Sequence, residues 1–345
     1  MDLQSLFKFP IIQGPMAGGS CTPELIAAVS NAGGLGSLPG SLLSPDAIRD
    51  QAAKLRQLTD RPFLINLFVL KTPQPGRDEV DRAAELMRPL WESLGWTELP
   101  TPSQWCQDFE AQFDALIELK PAAASFTFDI LTATQVERLH DAGIFVIGTV
   151  TTVEEAEAWE EVGADAVIAS GIEAGGHRGT FIGAQEDATL EARVLWPKVA
   201  RAVEIPVIAA GGIMTGIDIN EALAAGAEAV QMGTAFLVCD ESGISPEYKL
   251  RLINAGDTPT RLTRAFSGRY ARGLENRFMK QLEDVEKQLP AYPVQNALTT
   301  PIRAAASAKG DTELMSLWAG AEVRRARAMP AAKLMQALIA EMRTE

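Results

Sequence analysis

The sequence predicts a (β/α)8 barrel with an inserted segment and a mostly helical C-terminal lid domain. Eight apolar, strand-like runs recur over about 240 residues, each followed by a helical pattern, close to the ~250 residues typical of such barrels. The runs are continuously apolar, as expected when both faces of a parallel sheet are covered. A doubly wound sheet would be favoured by a GxGxxG turn after the first run, and none is present there. The runs are Pro10–Ala17, Gly34–Leu38, Phe63–Val69, Ala123–Phe128, Ile144–Val150, Ala164–Ser170, Pro206–Gly211 and Ala229–Leu237.

Helix start and stop signals lie between these runs. Two predicted helices begin with a hydroxyl residue followed by proline and an acid, at Thr22-Pro23-Glu24 and Ser44-Pro45-Asp46. Thr152 to Glu155 has the spacing of a capping box. Four predicted helices end at a glycine, as helix C-termini often do. These glycines are Gly33, Gly143, Gly163 and Gly226.

Two stretches exceed a minimal barrel. Residues 73–120 form an insertion between the third and fourth strands, with three tryptophans and several prolines. Residues 241–345 follow the eighth strand and are too long to be one closing helix. We therefore expect a barrel over residues 1–240 and a helical extension over residues 241–345 that covers one end of it.

Charge and cysteine content exclude several classes of protein. The 345 residues include 31 Lys and Arg against 45 Asp and Glu, a formal net charge of −14. This balance argues against nucleic-acid binding, which needs clustered positive charge, and against attraction to anionic lipid. Cys21, Cys106 and Cys239 are too widely spaced for a CxxC motif, and an odd count suits a reducing compartment. No signal peptide or membrane span is evident, so we expect a cytoplasmic protein. The sequence leaves open whether it forms a homo-oligomer.

Glycines cluster where the seventh and eighth strands end. Barrel enzymes react at the C-terminal ends of their strands, and the loops after strands seven and eight commonly bind phosphate. Gly211, Gly212, Gly233 and Thr234 occupy these positions and could donate to a phosphate. Taken alone, the same glycines could simply mark tight turns.

One of the two histidines is placed for catalysis. His177 follows two glycines in the loop after the sixth strand, where it could face an open pocket as a general base. A structural role is the alternative. His140 ends a predicted helix, where it favours the helix dipole. No metal site is expected, because no second His or Cys lies at ligand spacing.

Polar residues on the predicted strands allow two interpretations each. Asn66 could bond neighbouring backbone or present its amide to a ring cofactor, and Ser125, Thr127 and Thr149 allow the same choice. Glu173 could assist His177 or simply bond loop N–H groups. Five arginines between positions 261 and 277 indicate an ion-paired face, a subunit contact or a shield for the pocket.

Several motifs together resemble the class I nitronate monooxygenases, formerly called 2-nitropropane dioxygenases. In chain order they are QGPMAGG from Gln13, SNAGGLGSL from Ser30, NLFV from Asn66, SFTF from Ser125, GIEAGGHRG from Gly171, AAGGI from Ala209 and QMGTAF from Gln231. TRAFSGRYARG, AYPVQNAL and LWAG resemble the family's later blocks. GIEAGGHRG is fairly specific, whereas AAGGI and QMGTAF are shared by many FMN barrels.

The resemblance implies an enzyme that binds FMN without a covalent bond. It would oxidise alkyl nitronates, such as propionate 3-nitronate, with O2 to a carbonyl compound and nitrite. His177 matches the family's catalytic histidine, and Tyr292 would reach the substrate from the tail. The matching cofactor positions are Met16, Ala17, Asn66, Gly175, Gly176, Gly211, Gly212, Gln231, Met232, Gly233 and Thr234.

The sequence departs from the family pattern at three positions, and two other functions stay open. Ser170 replaces a frequent Gln, Asp129 follows SFTF in place of Gly, and Ala321 follows WAG in place of Gln. An NAD(P)H-dependent flavin reductase of the enoyl-acyl-carrier-protein or quinone reductase type would use the same barrel. A scaffold that binds phosphate or flavin without catalysis is the third hypothesis.

Overall fold

A computed structural model, which describes residues 2–343, confirms the (β/α)8 barrel. Its eight parallel strands follow the order β1-β9-β8-β6-β5-β4-β3-β2, and a parallel bridge between Ile12 and Leu35 joins the two ends of the sheet. The barrel strands are β1 Ile11–Gln13, β2 Gly36–Pro39, β3 Phe63–Phe68, β4 Ala123–Thr127, β5 Phe145–Val150, β6 Ala166–Ser170, β8 Val207–Ala210 and β9 Ala229–Met232. A separate three-stranded sheet contains β7 Gly176–His177, β10 Thr260–Thr263 and β11 Ala271–Leu274.

Fourteen helices surround the strands within the described residues. Among these residues, no helix is both long and apolar enough to cross a lipid bilayer. The helices are α1 Pro23–Asn31, α2 Pro45–Leu58, α3 Arg77–Leu86, α4 Arg88–Glu92, α5 Phe109–Leu119, α6 Ala133–Asp141, α7 Val153–Glu161, α8 Ala192–Ala202, α9 Gly216–Ala224, α10 Thr234–Leu237, α11 Pro246–Ile253, α12 Arg277–Leu282, α13 Val294–Ala308 and α14 Ala331–Met342.

The barrel strands are apolar throughout because both of their faces are buried. Along β5, Val146 packs outward in the core that includes the helices, while Ile147 packs inside the barrel. Leu3 and Leu6, from a 3-10 turn before β1, join this inner core at the N-terminal ends of the strands. The cavity described below lies at the opposite, C-terminal ends of the strands.

The helix caps follow the sequence signals, with one difference. Thr22 and Ser44 each accept a hydrogen bond from the N–H three residues later. Thr152 does the same, but the carboxylate of Glu155 does not return to Thr152. It accepts instead from Thr151 and from the N–H groups at 181 and 182. The predicted capping box is therefore only half formed, because Glu155 is buried and anchors the loop after β6.

The inserted segment and the tail share one hydrophobic core over the barrel. Met87 and Trp91 of the insertion pack in the same cluster as Phe266, Phe278 and Leu298 of the tail. The tail also contributes β10 and β11, which pair antiparallel with each other, and β11 pairs with β7. These strands were not predicted, since β10 and β11 are short and each contains an arginine, unlike the continuously apolar barrel strands.

The final helix returns to the barrel wall. α14 packs against α1 and α9, where the eighth helix of a (β/α)8 barrel belongs. Gly216 makes this close approach possible, because a Cβ there would lie 2.4 Å from the Leu338 carbonyl oxygen. The chain after β9 therefore leaves the barrel and comes back to complete it.

Candidate active site

A cavity of about 510 Å³ lies between the C-terminal ends of the barrel strands and the tail. Thirteen residues that the sequence nominated for catalysis or binding line this one cavity, as barrel geometry requires. They are Met16, Ala17, Asn66, Gly175, Gly176, His177, Gly211, Gly212, Gln231, Met232, Gly233, Thr234 and Tyr292.

The backbone after β8 and β9 offers free donors to this cavity. Gly211 and Gly212 have φ angles of 107° and 72°, which L side chains rarely adopt. The N–H groups of Gly212 and Gly233 have no acceptor within residues 2–343. The hydroxyl of Thr234 accepts from the Gly320 N–H at 2.9 Å, which leaves its own proton to donate. Together these groups could hold an anion such as a phosphate.

Two side-chain amides leave acceptor oxygens on the cavity wall. The Nδ2 of Asn66 donates to the carbonyl oxygen and hydroxyl of Ser125, at 3.1 and 3.0 Å. Its Oδ1 receives no hydrogen bond from the described part of the chain. The Oε1 of Gln231 is buried and also lacks a partner there. Buried acceptors normally pair, so these two oxygens fit a ligand that carries N–H or O–H groups.

The small sheet holds His177 at the cavity. His177 on β7 pairs with Ala271 on β11, and its Nε2 lies 2.9 Å from the hydroxyl of Ser267. Its ring lies 5.5 Å from Phe128 and 5.4 Å from Trp318, between ring centroids. Rings on several sides therefore fix its orientation.

His177 is neutral at pH 7. Burial, together with the positive charges of Arg269 and Arg303, lowers the pKa of His177 to about 3. An imidazole in this state can accept a proton but does not attract an anion by its own charge. An anion near His177 would instead be attracted by the charged groups Arg269 and Arg303.

Arg269 and Arg303 place positive charge near His177, and Arg178 lies next to it in the chain. Burial lowers the pKa of Arg178, Arg269 and Arg303 to about 10, so all three remain charged at pH 7. None of them has a carboxylate within salt-bridge distance among residues 2–343. Arg269 and Arg178 donate mainly to carbonyl oxygens of the loop after β6. The surroundings of His177 are thus locally positive in an acidic protein.

The other predicted positions have more ordinary roles. Glu173 accepts from the Ala192 N–H at 2.8 Å at the start of α8, so it bonds loop backbone and does not assist His177. His140 pairs with Asp165 on the barrel exterior. Arg261 pairs with Glu275 and Glu286, whereas Arg272 reaches the Ile172 carbonyl oxygen. The arginine cluster is therefore partly ion-paired and partly a support for the His177 loop.

The three departures from the family pattern lie in and around the site. Ser170 lines the cavity, and its carbonyl oxygen accepts from Arg178. Asp129 is exposed and accepts from the following N–H. Ala321 donates its N–H to the Glu173 carbonyl oxygen.

Four residues of the site were not found by sequence reasoning. Arg303 and Trp318 line the cavity from the tail, and Ser267 lies behind His177. Phe128 has a φ of 87°, rare for a bulky residue, and its ring lies 4.2 Å below the Arg269 guanidinium. Their sequence neighbourhoods do not indicate a place in the site, except that three of them fall within family motifs. Phe128 is in SFTF, Ser267 in TRAFSGRYARG and Trp318 in LWAG.

Comparisons with known proteins agree with the motifs. The sequence profile described as Nitronate monooxygenase matches residues 2–341. A probable nitronate monooxygenase of Bacillus subtilis is 42% identical over 316 residues, 91% of this chain and 90% of the relative. The structure of nitroalkane oxidase from Streptomyces ansochromogenes has a TM-score of 0.92 at 43% identity, covering 99% of this chain and 97% of that one. FabK from Thermotoga maritima has a TM-score of 0.76 at 32% identity, covering 97% and 93%. The chain therefore belongs to the nitronate monooxygenase family of oxidoreductases.

Proposed function

We propose that the protein oxidises alkyl nitronates with O2 to a carbonyl compound and nitrite, using non-covalently bound FMN. The observation that carries this proposal is the charge of the cavity. Arg269 and Arg303, which have no carboxylate partner among residues 2–343, lie near a neutral His177 in a protein whose net charge is −14. A nitronate is an anion, so this local positive charge favours its binding.

The free groups of the cavity fit FMN. The N–H groups of Gly212 and Gly233, which have no acceptor among residues 2–343, suit a phosphate. The free oxygen of Asn66 suits the polar edge of a flavin ring, and that of Gln231 suits a ribityl hydroxyl. When bound, FMN would supply the electron transfer between nitronate and O2. In this proposal Gly211, Gly212, Gln231, Met232, Gly233 and Thr234 hold the ribityl and phosphate groups, and Met16, Ala17, Asn66, Gly175 and Gly176 lie beside the ring.

His177 handles the proton of the substrate. A neutral imidazole can accept a proton from the carbon next to a nitro group, and the bonding pair then moves onto the nitro oxygens. A substrate that arrives as a nitronate needs no such step, and His177 then binds and orients it. The positive neighbours favour the negative charge in both cases.

Arg303 and Tyr292 fit a second anionic group, such as the carboxylate of propionate 3-nitronate. The Nη1 of Arg303 and the hydroxyl of Tyr292 have no hydrogen-bond partner among the described residues, and both side chains line the cavity. Burial raises the pKa of Tyr292, so its hydroxyl keeps a proton to donate. Two donors aimed at one cavity suit a carboxylate.

Turnover of propionate 3-nitronate tests the proposal. Oxygen uptake and nitrite formation should both occur with the purified protein. His177→Ala should lower kcat/KM at least about tenfold, ~1.4 kcal/mol of transition-state stabilisation, with FMN content unchanged. His140→Ala is the matched control, because His140 lies outside the site. A wild-type protein that forms no nitrite would refute the function.

An NAD(P)H-dependent flavin reductase is the second candidate, favoured by the structural similarity to FabK. Anaerobic mixing of the flavin-loaded protein with NADH or NADPH separates the two functions. Our proposal expects the flavin absorbance to persist. Rapid bleaching would assign the reductase activity instead.

We also propose that the enzyme works in the cytoplasm. Cys21, Cys106 and Cys239 are all free thiols. Unpaired cysteines are typical of a reducing compartment.

A further inference from the structure

The hydroxyl of Ser267 has three polar neighbours. His177 Nε2 lies at 2.9 Å, the Arg269 carbonyl oxygen at 3.0 Å and the Arg269 N–H nitrogen at 3.4 Å. A hydroxyl has one proton and two lone pairs. The Arg269 N–H takes one lone pair, and the Arg269 carbonyl, which can only accept, takes the proton. The remaining lone pair faces His177, so Nε2 must carry a hydrogen.

The other ring nitrogen of His177 faces the cavity. Its Nδ1 has no partner among residues 2–343, and the side chain lines the cavity wall. Ser267 is 1% exposed and lies behind the ring. If Nε2 carries the hydrogen of a neutral imidazole, Nδ1 carries the free lone pair.

We infer that Ser267 is a positioning residue that holds His177 in its Nε2–H tautomer, so that Nδ1 accepts the substrate proton. The role at the substrate rests on the proposed function, whereas the tautomer does not. When Nδ1 accepts a proton from carbon, the C–H bond breaks, an N–H bond forms and the electron pair stays on the nitronate. Nε2 keeps its hydrogen and its bond to Ser267 throughout.

A neutral partner also sets the strength of this base. A carboxylate at this position would stabilise the imidazolium, as an aspartate does in hydrolase triads. Around the ring, Arg269 and Arg303 are positive, Tyr292 is a neutral phenol, and Phe128 and Trp318 are uncharged. His177 is therefore a weak base, suited to substrates that already exist as nitronates more than to neutral nitroalkanes.

The tautomer can be observed directly, because the chain has only two histidines. We would label the FMN-loaded protein with ring-15N histidine and record long-range 1H–15N correlations at pH 7. His140→Gln identifies the signals of His177. We expect a protonated Nε2 and an unprotonated Nδ1 in the wild type and in Ser267→Thr, and a mixture of tautomers in Ser267→Ala. A wild type with Nδ1–H, or an unchanged tautomer in Ser267→Ala, would overturn the inference whatever substrate the enzyme uses.

Kinetics provide the second measurement. With a neutral nitroalkane such as nitroethane, whose carbon must lose a proton, Ser267→Ala should lower kcat about tenfold with little change in KM, and Ser267→Thr should restore most of it. With propionate 3-nitronate, which needs no proton transfer, the fall in kcat should be smaller. Loss of FMN from Ser267→Ala, with its tautomer intact, would assign Ser267 a merely structural role. Absence of turnover by the wild type would count against the proposed function and leave the tautomer measurement decisive.

Discussion

Replacing Arg303 by methionine tests whether the cavity selects substrates with a second negative charge. Arg303 Nε donates to Thr299, and Nη2 donates to Asn296 and Thr300, at 2.9 to 3.2 Å. These bonds fix the guanidinium with Nη1 free. Methionine keeps a long apolar side chain and removes both the charge and the donors.

The expected loss follows from one charge-assisted hydrogen bond. Such bonds contribute about 1.5–3 kcal/mol. Because ~1.4 kcal/mol is a factor of ten, kcat/KM for propionate 3-nitronate should fall roughly 10- to 150-fold. For propyl-1-nitronate, which has no carboxylate, only the longer-range attraction is lost, and we expect a fall of less than about threefold.

The assay compares oxygen uptake with the two nitronates in each variant. Arg277→Met is the matched control, since Arg277 pairs with Asp311 at 3.5 Å on the surface of the tail. Equal losses with both nitronates would refute the reasoning, because Arg303 would then act on the nitronate group or on the fold. An unchanged kcat/KM would refute it as well.

Two further predictions concern stability. The pKa of His177 is about 3 in the folded protein against an ordinary 6.5, so the unfolded chain binds more protons as the pH falls. The contribution of neutral His177 to the free energy of unfolding is therefore fully present above pH 6.5 and is lost as the pH falls towards 3. Between pH 6.5 and 5 the wild type should lose roughly 1–2 kcal/mol more than His177→Gln in urea unfolding, and parallel losses would contradict the shift. Gly211→Ala forces a side chain onto a φ of 107°, so it should cost about 1–2 kcal/mol and lower the FMN content. A fully loaded Gly211→Ala of unchanged Tm would show that this backbone tolerates a side chain.

The barrel and most of the cavity could be predicted because their signals are local. A buried parallel strand is apolar along its length, so polar residues such as Asn66 and Gln231 mark where it meets the cavity. The barrel then brings Asn66 and Gln231, which are 165 positions apart in the chain, to the same end of the strands. A glycine-flanked His177 in such a loop could therefore be assigned to the site before the structure was known.

The support of His177 could not be predicted, because it depends on distant contacts. Ser267 is 90 residues away from His177, and nothing in its neighbourhood specifies which side chain its hydroxyl meets. Arg303 lies on α13, whose sequence does not say which face covers the barrel. Glu155 has the spacing of a capping box, yet its carboxylate accepts hydrogen bonds from the loop after β6 and not from Thr152.

The position of α14 changes what truncation of this chain would mean. The N–H of Asp240, where the chain leaves the barrel, lies 3.4 Å from the carbonyl oxygen of Met329, where it returns. The two ends of the segment between these residues therefore lie side by side. Ending the chain at residue 240 would thus remove α14 from the barrel wall. Deleting only residues between 240 and 329 would keep α14.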